Sequence, residues 1–163
     1  MAQGGIRGRI GGGFAGYDVA AEFDGSALQG RMGGRFAGKD IAFFYDDGRI
    51  WGRWGGKMDG KDIECAITEA GLSGRMGGSF AGKDLVLQMD DSSLTVTGRL
   101  GGATIGSDVR LDCSADGQMH GRIGGKVFGK DVHAEVFGMP WLLAAATVCA
   151  VYWQLESDKS KNN

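Results

Sequence analysis

A seven-residue segment, h-x-G-R-h-G-G with h an apolar residue, occurs six times in the chain, beginning at Ile6, Leu28, Ile50, Leu72, Val96 and Met119. Successive copies lie 22 residues apart three times, then 24 and 23. A period of that length is too short for a βαβ unit, so each copy is one small supersecondary element that buries its apolar face only against its neighbours. The extra residues of the two longer copies fall in the polar stretches 90–95 and 114–118, which marks those stretches as loops.

Each copy continues through G-x-D into an apolar run of period two: Ile41, Phe43, Tyr45; Ile63, Cys65, Ile67; Leu85, Leu87, Met89; Val109, Leu111, Cys113. Such alternation is the signature of a half-buried strand. The G-R segment alternates too when Gly is counted as a small core residue, with Ile50, Gly52, Trp54, Gly56 and Met58 on one face and Trp51, Arg53, Gly55 and Lys57 on the other. Two strands per copy, joined by connections too short for parallel crossovers, predict a twelve-stranded antiparallel meander with all-β character. A parallel β-solenoid with a C-terminal membrane anchor is the alternative. Turns at Asp46–Arg49 and at Gly38-Lys39 set Tyr45 opposite Ile50, Phe43 opposite Gly52 and Ile41 opposite Trp54. On the other side they set Ile41 opposite Phe36 and Phe43 opposite Gly34. In that register each middle core residue (Ala21, Phe43, Cys65, Leu87, Leu111, Ala134) has Gly on both neighbouring strands, as a packing device.

The same register places each Asp diagonally beside the Arg of the following copy: Asp18 with Arg31, Asp40 with Arg53, Asp62 with Arg75, Asp84 with Arg99, Asp108 with Arg122. At exposed sites each pair is worth roughly 0.2–1 kcal/mol, enough to fix register rather than to stabilise the fold. A sixth pair, Asp131 with Arg9, requires the last strand to meet the first. Twelve strands with one apolar face expose that face and two edges unless the sheet curls, so a closed barrel is expected. One set of turns carries Lys39, Lys61, Lys83 and Lys130, a basic rim weakened by the Asp that follows each Lys. The other set carries Asp24, Asp46, Asp47, Glu69, Asp90, Asp91 and Asp116 and should be acidic.

The meander takes up residues 1–138. Pro140, suited to the first position of a helix, then leads into Trp141–Leu155, a stretch without a charge, and into a polar tail over 156–163. A helix that is apolar all round is wrapped either by protein or by lipid. Residues 139–155 make a short membrane span, since the uncharged fifteen reach roughly 22 Å against a bilayer core of about 30 Å. A barrel of this size has room for a slim helix, and Ala144, Ala145, Ala146, Cys149 and Ala150 keep this one slim. Insertion into the barrel is expected, with a membrane span as the alternative. A twelve-stranded barrel around a hydrophobic C-terminal helix is similar to the tubby and phospholipid-scramblase domains, and that resemblance implies lipid handling.

Catalytic material is scarce. A net charge of −2 offers no bulk attraction for nucleic acid. His120 should face Asp112, and His133 should face Lys126, neither with a nucleophile at hand. Cys65, Cys113 and Cys149 form no C-x-x-C pair and fall in apolar rows, as inert free thiols. The run G-G-x-x-x-G-x-D departs from the nine-residue calcium β-roll unit, and no helix N-terminus follows the glycines to hold a phosphate. No catalytic residue, metal or cofactor is therefore expected. One exposed feature carries binding composition: Phe44 and Trp51 as cross-strand partners, flanked by Arg53 and near Arg49 and Arg35. The expected function is a non-enzymatic scaffold or binding module, associated in one version with a membrane. A lipid-handling barrel and a polymerising structural protein are the alternatives. Its expected partners are a protein or a second copy, or a lipid surface, and not nucleic acid. Residues 1–10 lack the apolar stretch of a secretory signal, which points to the cytoplasm or the cytoplasmic face of a membrane.

Overall fold

The computed structural model describes residues 3–13, 15–34, 38–56, 58–77, 82–102, 105–125 and 129–161. Its strands are β1 (Gly4–Ile10), β2 (Tyr17–Phe23), β3 (Ala27–Gly33), β4 (Gly38–Asp46), β5 (Arg49–Trp54), β6 (Lys61–Thr68), β7 (Gly71–Met76), β8 (Lys83–Asp90), β9 (Thr95–Gly101), β10 (Gly106–Cys113), β11 (Gln118–Ile123) and β12 (Lys130–Phe137), followed by the helix α1 (Trp141–Lys161). Every strand pairs antiparallel with its neighbours in sequence, and β1 pairs with β12, so the sheet closes into a barrel. The parallel solenoid is overturned by this pairing.

The helix fills the barrel. From Leu143 to Leu155 every residue is buried, together with the inward rows of all twelve strands. Uniform burial explains why the helix carries no polar stripe. It continues to Lys161, so residues 156–161 form its last turns rather than a separate tail. Among the described residues no helix is long and apolar enough to cross a membrane.

Each residue of the repeated segment has a structural reason. The Gly before each Arg (Gly8, Gly30, Gly52, Gly74, Gly98, Gly121) lies where the preceding strand crosses closely, and a Cβ there would fall inside 3.0 Å of that strand's backbone. The Arg reaches directly across to the Asp of its own copy. Arg9–Asp18, Arg31–Asp40, Arg53–Asp62, Arg75–Asp84 and Arg122–Asp131 close at 2.5–2.8 Å, and Arg99–Asp108 has the same arrangement. Several of these guanidinium groups also donate to the carbonyl of the second Gly of the Gly-Gly pair, as Arg99 does to Gly102 at 2.9 Å and Arg122 to Gly125 at 3.1 Å. The first Gly of the pair takes a positive φ (Gly55 91°, Gly101 106°), which turns the chain out of the sheet at once.

That turn corrects the expected loop-side register. β3 ends at Gly33 and β4 begins at Gly38, so the strand does not run on to a turn at Gly38-Lys39. Ile41 therefore pairs with Gly30, and Phe43 with Leu28. Phe36 lies outside the described residues. The turn-side pairs Tyr45–Ile50, Phe43–Gly52 and Ile41–Trp54 are as expected. Each middle core residue consequently has Gly on one neighbouring strand only, as Cys65 has Gly74 on one side and Ile50 on the other. The ion-pair partners are corrected in the same step, since Asp18, Asp40, Asp62, Asp84 and Asp108 bond the Arg of their own copy and not Arg31, Arg53, Arg75, Arg99 and Arg122 of the next. Although the barrel closes, Asp131 bonds Arg122 and Arg9 bonds Asp18. Successive copies are linked instead through backbone, the Asp carbonyl accepting from the first Gly of the next pair: Asp40 from Gly55 at 2.9 Å and, across the closure, Asp131 from Gly11 at 2.8 Å.

Candidate functional site

Antiparallel order puts the six Gly-Gly loops at one end of the barrel and the acidic turns at the other. The helix enters at the acidic end and finishes at the loop end. The residue between Gly and Asp in each copy lies at the start of an even-numbered strand and shares the inward parity of the core residue two places on, at the end of the lumen where α1 finishes. These six residues are Tyr17, Lys39, Lys61, Lys83, Ser107 and Lys130.

The lysines of the expected basic rim stand at this end, each engaged by a neighbour. Lys61 donates to Gln154 Oε1 at 3.4 Å, and Lys61 and Lys83 lie 5.5 and 5.6 Å from the centre of the Trp153 ring. Lys130 meets Glu156 at 3.7 Å, and Lys39 pairs with Asp59 at 2.8 Å. Tyr17 donates to Asp158, and Ser107 bonds Tyr152 at 3.1 Å. Burial, helped by the Asp158 carboxylate, pushes the Tyr17 hydroxyl up to about 12. Lys159 beside it, with burial, holds the Lys130 ammonium below its ordinary range, against the pull of Glu156. Cations collected around a helix C-terminus also meet the negative end of its dipole. Lys61, Lys83 and Lys130 thus seat the helix, while Lys39 closes on the loop residue Asp59.

On the outer wall Phe44 and Trp51 stack with ring centres 5.8 Å apart and planes at 28°, and the Arg49 guanidinium lies 5.6 Å from the Trp51 ring. The rings are 38% and 39% exposed. Beside them a shallow depression of about 360 Å³ is bounded by Ser26, Tyr45, Asp46 and Asp47. Arg53 is committed to Asp62 and Gly56, and Arg35 lies outside the described residues, so the cation of this patch is Arg49. A second depression, of about 550 Å³, lies on the wall where Ala20 and Gly30 are small, between Arg7, Glu22 and Phe137.

The strongest exposed apolar side chains were not singled out by sequence reasoning. Met58 is 98% exposed and Ile105 79%, each in a Gly-Gly loop. The expected strand face through Gly56 and Met58 is thus overturned, because β5 ends at Trp54. Their signal was an apolar residue inside each Gly-Gly-x-x-x-Gly. The other loops carry Phe14, Phe36, Phe80 and Val127-Phe128 in sequence, outside the described residues.

The chain's two histidines stand directly opposite each other on β11 and β12, with ring centres 4.3 Å apart. His120 faces Asp112 as expected. His133 faces His120 on that side and Arg9 on the other, not Lys126, which lies outside the described residues. Asp112 accepts from Thr95 at 3.2 Å and lies 3.5 Å from Arg110. All three cysteines are free and buried. Burial pushes the Cys65 thiol up to about 12 and that of Cys113 to about 11, and raises Cys149 as well. Among the described residues, no group of three or more His, Cys, Asp or Glu side chains converges to cage a metal. Compared with known proteins, the chain matches no family model, no characterised protein and no solved structure.

Proposed function

We propose that the chain is a non-enzymatic binding module that docks on an anionic membrane surface with the loop end of its barrel. Met58 and Ile105 carry this reading: both stand almost free in water on loops of the same end, where solvated polar tips are the rule and exposed apolar ones mark contact surfaces. Charge supports it along the same axis. The turns with Asp24, Asp46, Asp47, Glu69, Asp90, Asp91 and Asp116 lie at the far end, whereas at the loop end Lys39, Lys61, Lys83, Lys130 and Lys159, although engaged by the helix end and by Asp59, outnumber the carboxylates they meet there, Asp59, Glu156 and Asp158, so a negative surface attracts one end and repels the other. A lumen filled by its own helix leaves surface contact, rather than enclosure of a lipid, as the mode of action.

Burying Met58 and Ile105 in the interface is worth up to about 1.5–3 kcal/mol each, and a lysine free of a carboxylate partner adds up to about 1 kcal/mol near an anionic surface. The test is co-sedimentation with phosphatidylcholine vesicles, with and without phosphatidylserine. Wild type should bind the anionic vesicles, and the Met58→Asp/Ile105→Asp double variant should partition at least tenfold less. Equal partition of the two proteins, or no sedimentation of either, refutes the proposal. A second reading, protein contact or self-association through the Phe44–Trp51 stack, rests on that exposed ring pair with Arg49 beside it. It fails if Trp51→Ala leaves the sedimentation coefficient unchanged over the whole accessible range of protein concentration.

A further inference from the structure

We infer that His120 and His133 form a two-imidazole chelate for a borderline divalent transition ion, with Cu²⁺ held more tightly than Ni²⁺ or Zn²⁺. The histidines are cross-strand partners on exposed positions of the wall, and neighbouring rings in that arrangement are held together by the sheet before any ligand arrives. An ion about 2.0–2.1 Å from one nitrogen of each ring, with an angle at the ion between a right angle and the tetrahedral one, requires ring centres about 4.5–5 Å apart. The observed separation is 4.3 Å, with planes at 70°. Opening the pair by less than about 1 Å, within reach of side-chain rotation, brings the ring centres to the separation a chelate needs.

The surroundings admit the added charge. Arg9, opposite His133, is bonded to Asp18 and to the carbonyls of Gly12 and Gly13, and Arg122, two residues from His120, is bonded to Asp131 and Gly125. Both guanidinium groups are thus directed away from the imidazoles. Asp112, on the far side of His120, already accepts from Thr95, so the protein supplies two nitrogens and water fills the remaining positions. Two protein ligands instead of three or four define an exchangeable site, whose preference follows the order of divalent-ion affinity for nitrogen ligands. The chelate ties β11 to β12, the strand that closes the barrel against β1. Ligation therefore staples the sheet beside its closure and raises the stability of the whole barrel by mass action.

Isothermal titration of the full chain with CuCl₂, NiCl₂ and ZnCl₂ separately, at neutral pH, tests this. One ion per chain is expected, in the affinity order Cu²⁺, Ni²⁺, Zn²⁺, with at least a tenfold loss in His120→Gln and in His133→Gln. Saturating metal should raise the melting temperature of wild type and not that of the double variant. Both substitutions are at exposed wall positions, and a far-ultraviolet spectrum identical to wild type establishes that the variants fold. Absence of saturable uptake, or retention of wild-type affinity in the double variant, overturns the inference.

Discussion

Gln154 gives the sharpest test of how the helix is held. It is a polar side chain 1% exposed inside the lumen, and its Oε1 accepts from the indole N–H of Trp54 at 3.0 Å and from Lys61 at 3.4 Å, while its Nε2 donates to Asp158 at 2.9 Å. Gln154→Leu keeps most of the volume but strands the Trp54 donor, which has no route to water. An unsatisfied buried donor costs about 1–3 kcal/mol, and the weaker contacts of Lys61 and Asp158 bring the expected loss to about 2–3 kcal/mol. Trp54→Phe removes the donor itself and leaves a small void, for about 1–2 kcal/mol. Once both are changed no donor is stranded, so the double variant should be less destabilised than the sum of the singles by about 1–2 kcal/mol. Urea unfolding followed by far-ultraviolet circular dichroism measures all four proteins. Additivity within about 0.3 kcal/mol, or a negligible effect of Gln154→Leu, would mean that the indole and the amide do not depend on each other and that the helix is not keyed to the wall here.

Removing residues 140–163 should abolish cooperative unfolding and expose dye-binding apolar surface, since the lumen rows lose the element they pack on. A stable, soluble truncation would show the helix to be an accessory. A double-mutant cycle on Arg122 and Asp131 should give a coupling of roughly 0.2–1 kcal/mol, whereas Asp131 with Arg9, on adjacent strands but bonded elsewhere, should give none; the reverse result would invalidate the register. The contribution of the buried thiols and of Tyr17 to stability should be full below about pH 8.5, where thiols of the unfolded chain begin to ionise, and should be lost as pH rises toward 11–12. The folded chain holds the protons of Cys65, Cys113, Cys149 and Tyr17 that the unfolded one releases. Cys149→Ala should flatten that slope, and a pH-independent midpoint between pH 8 and 11 would contradict it.

Register was legible wherever the connection between strands was short and polar. Asp47 and Gly48 both take positive φ, 48° and 82°, the conformation of a tight hairpin turn, and the pairs outward from it follow from alternation alone. At the loop end glycine removes the signal, because it has no side chain to declare a face, and an apolar Met58 continues the period of two into a segment that has already left the sheet. The resulting displacement, from Phe36 to Gly30 opposite Ile41, moved every Arg to the wrong Asp and hid the histidine pair. A constant nine-residue gap between Arg and Asp in all six copies is the sequence signal for direct pairing across one hairpin. The inward course of the lysines was also present as parity, Lys61 standing two residues before Ile63, but a lysine next to a turn is expected to face water unless a partner inside the barrel is known.

The barrel has an approximate sixfold repeat, whereas the helix it encloses has none, and the position between Gly and Asp is where the two are reconciled. Four copies have Lys there; Tyr17 and Ser107 depart from it. Consensus reasoning treats such departures as drift and expects their reversal to stabilise a repeat protein. The structure gives each departure a reason: the Tyr17 hydroxyl meets Asp158, and the short Ser107 leaves room for the hydroxyl of Tyr152, 3.1 Å away. Ser107→Lys would replace the hydroxyl with three methylenes and an ammonium against a buried tyrosine, and among the described residues Ser107 bonds Tyr152 and not a carboxylate that could receive the charge. Overpacking and a desolvated cation each act against folding, and a loss of about 1–3 kcal/mol is expected. Thermal unfolding of Ser107→Lys beside Lys83→Ser, which lacks only its contact with the Trp153 ring, separates the two views. A higher midpoint for Ser107→Lys than for wild type would mean that this position is a solvated rim and that the helix does not dictate the residues around its end.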